Sequence, residues 1–66
     1  MRNQVTTRRQ ERGWSQQSLA ELLGVSRQTI ISIEKGRFDP SLPLAFRIAS
    51  VFECRIEDLF LPDEPT

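Results

Sequence analysis

The chain has 66 residues, nine basic and nine acidic, with one cysteine and no histidine. That length supports one small core and excludes a two-domain molecule. Cys54 alone excludes an internal disulfide, and without histidine no metal site is expected. The longest apolar runs are only a few residues, so no membrane span is expected. The start MRNQVTTRR lacks the apolar stretch of a signal peptide, which makes a cytoplasmic protein the expectation.

Zero net charge conceals a division along the chain. Residues 1–37 carry seven basic and three acidic groups, whereas residues 38–66 carry two and six. A basic end of this kind suits phosphate binding, although charge alone does not separate it from ordinary solvated surface.

Residues 3–12, NQVTTRRQER, read as a first helix capped by Asn3 and stopped at Gly13. Val5 is its one aliphatic residue, so Arg8, Arg9 or Arg12 must lay methylene stems along the core. Trp14 directly precedes the next cap, the place from which a hydrophobic residue staples a helix entry, and reads as a core plug.

Residues 15–36, SQQSLAELLGVSRQTIISIEKG, contain two complete sets of helix start and stop signals. Ser15 and Ser26 can each accept from a free N–H of the first turn. Gly24 and Gly36 can adopt the left-handed conformation that closes a helix. Leu19, Leu22 and Leu23 form an apolar stripe on the first helix, and Ile30 and Ile33 form one on the second. Ala20 leaves room for another helix, and Val25 plugs the corner. Helices joined by so short a turn cross at roughly 90–120°. The second can therefore project Arg27, Gln28, Thr29 and Ser32, as a helix-turn-helix offers one helix to DNA.

Arg37-Phe38-Asp39-Pro40 reads as a loop, and Ser41 caps a fourth helix that tolerates Pro43 in its first turn. Leu44, Ile48, Ala49 and Phe52, flanked by Val51, close the core from behind. Glu53-Cys54-Arg55 breaks this helix, with Cys54 as small core filler. Residues 56–60 then form a short fifth helix with Ile56, Leu59 and Phe60 apolar, and residues 62–66, with two prolines, are expected to fray.

The pieces Arg9, Gly13, Ser15-Gln16, Leu19-Ala20, GVSRQTI at 24–30, Ile33-Glu34, Gly36, Pro40-Ser41-Leu42, Ile48-Ala49 and IEDLF at 56–60 together resemble the Cro-like, or XRE, family of repressors. The likeness covers nearly the whole chain, and SRQT and IEDLF are most similar to very short regulators that are little more than the DNA-binding domain. The resemblance implies an all-α fold, a compact five-helix lambda-repressor-like domain with the helix-turn-helix as helices 2 and 3. It also implies a transcriptional regulator of double-stranded DNA, with repression from a two-fold operator by a homodimer as the leading expectation. No catalytic residue and no cofactor are expected.

In that fold the second motif helix enters the major groove with its N-terminal residues toward base edges. Arg27 can reach guanine O6 and N7 together, Gln28 adenine N6 and N7, and Ser32 lies one turn beyond Gln28. Ile31, away from the core stripe, is either a thymine-methyl contact or a neutral exposed aliphatic residue. Gln16 and Gln17 at one helix N-terminus, Thr29 at the next, and Lys35 and Arg37 past its end are expected on phosphates, with Phe38 packed beneath the last two. The resemblance implies that Arg9 and Glu34 form a buried structural ion pair, and that Ile56, Phe60 and Leu61 supply dimer contacts. Two positions depart from the family: Arg8 stands where leucine is usual, and Glu53 where glycine is frequent. A rival reading is an antitoxin-like module that uses the acidic end to hold an unidentified protein partner and binds DNA mainly in that complex.

Overall fold

The structure, a computed structural model, describes residues 1–61. The fraying expected at 62–66 lies outside the described residues. Five helices, α1 (Val5–Glu11), α2 (Gln16–Leu23), α3 (Arg27–Glu34), α4 (Leu42–Val51) and α5 (Ile56–Leu59), are joined at the chain ends by two short strands, β1 (Arg2–Asn3) and β2 (Phe60–Leu61). The strands pair antiparallel, Arg2 opposite Leu61 and Asn3 opposite Phe60.

This pairing changes both terminal helices from what the sequence suggested. α1 begins at Val5 after Gln4, whose side chain makes no cap. Asn3 lies in β1, where its Oδ1 accepts from the Val5 N–H at 3.1 Å and its Nδ2 donates to the Ile33 carbonyl at 2.8 Å. α5 ends at Leu59, because Phe60 turns extended (φ −113°, ψ 127°) to enter β2. The Gln4 N–H donates to the Leu59 carbonyl at 2.8 Å, which fixes the start of α1 to the end of α5.

The core lies between α2, α3 and α4, with α1 set against α3 and α5 against α4. Val5, Leu19, Leu23, Ile30, Ile33, Ile48, Phe52 and Leu59 are its fully enclosed large side chains. The expected stripe on α2 needs one correction, because Leu22 is 57% exposed. On a helix turning 100° per residue the buried arc runs from Leu19 through Leu23 to Ala20, and Leu22 falls outside it. On α4 the buried residues are Ala45, Ile48 and Ala49, with Phe52 just beyond, while Leu44 is half-buried. Trp14 is also half-buried and stacks on Phe52 with ring centroids 5.7 Å apart. The Arg12 guanidinium covers both rings and donates to the Phe52 carbonyl at 2.8 Å.

Helices α1 to α4 end in the same way. A residue with positive φ follows the last turn in each case: Gly13, Gly24, Gly36 and Glu53. The next N–H then reaches back to a carbonyl of the final turn: Trp14 to Arg9 at 3.1 Å, and Val25 to Ala20, Arg37 to Ser32 and Cys54 to Ala49 at 3.0 Å. These bonds satisfy carbonyls that the helix itself leaves without partners.

Candidate nucleic-acid interface

α2 and α3 are each started by a serine. The Ser15 Oγ accepts from the Ser18 N–H at 3.0 Å, and the Ser26 Oγ accepts from the Thr29 N–H at 3.1 Å. Between them the chain turns on Gly24 (φ 72°) and the half-buried Val25. Ile30 and Ile33 are fully enclosed, so the orientation of α3 about its own axis is fixed from within. Its other face is then determined. Arg27 and Gln28 are exposed, and Thr29, Ile31 and Ser32 are half-buried.

A polar cluster ties α3 to α1 and α2. Arg9 Nε donates to Glu34 Oε2 at 2.7 Å and Arg9 Nη2 to Glu34 Oε1 at 3.3 Å, a two-point geometry that also fixes the planes of both groups. Arg9 Nη1 donates to the Trp14 carbonyl at 2.8 Å, and Gln16 Nε2 to Glu34 Oε1 at 3.0 Å. The side chains of Arg9 and Glu34 are 12% and 6% exposed. Burial pushes the Glu34 carboxyl up, but the hydrogen bonds from Arg9 and Gln16, the charge of Arg9 and a hydrogen bond from Thr6 together outweigh it and hold the pKa below 4.5.

Gln16 keeps one amide hydrogen for another acceptor. Gln17 is exposed, and its Nε2 donates to Glu21 Oε2 at 3.1 Å, one turn along α2. The Thr29 Oγ1 and Ser26 Oγ share a hydrogen bond at 2.9 Å. Lys35 and Arg37 are exposed beyond the end of α3. Among the described residues Arg27, Lys35 and Arg37 enter no ion pair.

Phe38 is not packed beneath Lys35 and Arg37. It is 46% exposed, and the concavity it shares is with Ser26, Gln28, Thr29 and Ser32 and not with those two basic residues. The left-handed turn at Gly36 sends the loop back along the helix, and a sequence that marks 37–40 only as loop carries no sign of that direction. Of the expected dimer residues, Ile56 and Leu61 are half-buried, but Phe60 is 8% exposed and belongs to the core. The pairing of β2 with β1 turns it inward. Leu42 and Phe46, not singled out by helical periodicity, are 63% and 56% exposed one turn apart on α4. Asn3 was also missed as a support of α3, since a bond to a carbonyl thirty residues away leaves no local signature.

The helix-turn-helix family HTH_3 matches residues 6–59. Over 64 residues the chain is 52% identical to the HTH-type transcriptional regulator MJ0272 of Methanocaldococcus jannaschii, with 97% of each chain covered. It is 45% identical over 64 residues to the HTH-type transcriptional regulator YgzD of Bacillus subtilis, again with 97% of each covered. Among solved structures it is similar to the restriction-modification controller protein C.AhdI from Aeromonas hydrophila, with a TM-score of 0.76 at 28% identity over 85% of each chain.

Proposed function

The chain belongs to the HTH_3 helix-turn-helix family and is a DNA-binding transcriptional regulator, and from that premise we propose that it represses transcription as a homodimer on a two-fold operator. The observation that carries the reading is the presentation of α3. Its inner face is locked by Ile30, Ile33 and the Glu34 cluster, while Arg27 and Gln28 stand free at the end that meets base edges. Arg27 reads guanine, Gln28 reads adenine, and Ser32 and Ile31 complete the reading face. Gln16, Gln17, Thr29, Lys35 and Arg37 take phosphates and set the register.

One domain of this size spans only a few base pairs, so two copies bind half-sites about 10 bp apart. A two-fold operator requires a two-fold protein, and the occupant of the uncovered apolar face is therefore a second copy of this chain. That face holds the exposed Phe46 on α4 and, near it, a groove of about 250 Å³ lined by Met1, Pro40, Leu42, Ala45, Ile56 and Phe60. Leu61, half-buried and next to Phe60 in β2, is the further apolar candidate for this contact. With two copies docked there, the protein blocks a promoter by occupying it. No helix of the described residues is long and apolar enough to cross a membrane, and action on chromosomal DNA is what supports a cytoplasmic location.

Selection of bound duplexes from a random pool tests this reading. A two-fold motif with guanine and adenine in each half supports it. No enriched motif, with a stoichiometric protein co-purifying from the native host, favours the protein-interaction module instead.

A further inference from the structure

Phe38 is a large aromatic side chain that the core does not use. Exposure of one such residue is ordinary on a protein surface, but its surroundings are specific. Phe38 forms one wall of a concavity of about 170 Å³ whose other walls are Ser26, Gln28, Thr29 and Ser32. Those four come from the cap and the first six residues of α3, the portion that faces base edges in this reading.

The chemistry of the concavity is mostly apolar although three of its residues carry hydroxyls. The Ser26 and Thr29 hydroxyls bond each other at 2.9 Å, and Ser26 Oγ also accepts from the Thr29 N–H at 3.1 Å. Beside this bonded Ser26–Thr29 pair, the remaining lining residues are Phe38, Gln28 and Ser32, whose hydroxyl is the third. No charged side chain lines the concavity, so a phosphate would gain little there. The loop is also held in place. The Gly36 N–H donates to the Ile33 carbonyl at 2.9 Å and the Arg37 N–H to the Ser32 carbonyl at 3.0 Å, which fixes the chain direction immediately before Phe38.

We propose that Phe38 is a specificity-determining residue whose ring, with Gln28 and Ser32, encloses the C5-methyl of a thymine in the major groove. The C5-methyl is the one apolar group that a base pair presents there, and phenylalanine is among the side chains suited to it. The proposal rests on the DNA-reading role of α3 and adds a reader from the loop that follows it. It also divides recognition between two kinds of contact: hydrogen bonds from Arg27 and Gln28, and an apolar contact from Phe38.

The test uses duplexes enriched by the wild-type chain, in which each thymine is replaced in turn by uracil to remove the methyl alone. Wild type is expected to lose about 4-fold in affinity at one thymine per half-site, the worth of one buried methyl-sized group. Phe38→Ala is expected to bind the thymine duplex more weakly and to be indifferent to uracil at that position, while other positions behave as in wild type. Phe38→Leu should keep a methyl preference there, and thermal melts of both variants check that they fold. Equal losses by Phe38→Ala on the thymine and uracil duplexes overturn the proposal and assign the ring to sugar or loop packing. A wild-type chain that enriches no sequence contradicts the DNA-reading role itself and overturns the proposal with it.

Discussion

A carboxylate as enclosed as that of Glu34 stays ionised only because neighbouring groups replace the water it has lost. Arg9 and Gln16 supply three hydrogen bonds to it. The folded pKa lies below the ordinary 4.5, so folding favours the ionised form. The stability this contributes is complete above about pH 4.5 and is lost as pH falls through the depressed folded value. Thermal midpoints of wild type should therefore hold steady above about pH 5 and drop on the acid side. Glu34→Gln should flatten that drop while costing about 1–3 kcal/mol at neutral pH, because the partly buried Arg9 guanidinium loses its counter-charge. Asp58, held low by its exposed hydrogen bond from Arg55, leaves the variant a residual acid slope. An acid limb as steep in the variant as in wild type would contradict this role for Glu34. Glu53 is strained in another way. It occupies the left-handed closing position of α4 at φ 53°, where the other three helices have glycine. Glu53→Gly should add about 0.5–1 kcal/mol, raising the midpoint by roughly 2–8 °C, after the entropy cost of glycine is offset. A scanning calorimetry midpoint that falls would show that the glutamate is not strained there.

At the scale of elements, α3 is held at both ends and along its inner face. Ser26 caps its start, and Asn3 and the Gly36 turn satisfy carbonyls at its end. Lys35 and Arg37 lie just past that end, in position to grip the flanking strand of DNA. If they do so, Arg37→Ala should weaken binding to all sequences alike and reduce the slope of log affinity against log salt by about one unit. A loss confined to one sequence would mean that Arg37 reads bases. α2 and α3 were legible because serine caps, apolar residues three and four apart, and closing glycines all agree within a few residues of one another, and α4 was legible from its serine cap and apolar spacing without a closing glycine. The strands were not legible, because two residues show no alternation and Asn3 is equally suited to capping a helix. Leu22 misled for a related reason: spacing selects a face of α2, but only the position of α4 decides where the buried arc ends. The burial of Phe60 and the place of Phe38 beside α3 were not legible because their neighbours come from distant parts of the chain, and no local pattern encodes a loop direction or a two-residue pairing.

Taken whole, the hydrogen bonds that hold the end of α3 run through β1 to β2, whose Phe60 lines the groove beside Leu42. β2 pairs with β1, Asn3 of β1 bonds the end of α3, and Leu42 and Phe46 stand exposed on α4. The excess of positive charge falls in residues 1–37, which contain the motif, and the excess of negative charge falls beyond them. Such a division of charge favours phosphate contact by the part of the chain that holds the motif. If a second copy covers Leu42 and Phe46, Phe46→Ser should shift equilibrium sedimentation toward monomer at tens of micromolar without lowering the monomer's own stability, since the ring is more than half exposed. A variant that sediments as wild type would place the contact elsewhere. The central claim is that α3 reads bases through Gln28, and a random-pool selection repeated with Gln28→Ala tests it most directly. The enriched motif should lose its adenine preference at one base pair per half-site, a discrimination of roughly 5- to 150-fold, weaken at the thymine whose methyl Gln28 helps enclose, and keep every other position. An unchanged motif would contradict the claim.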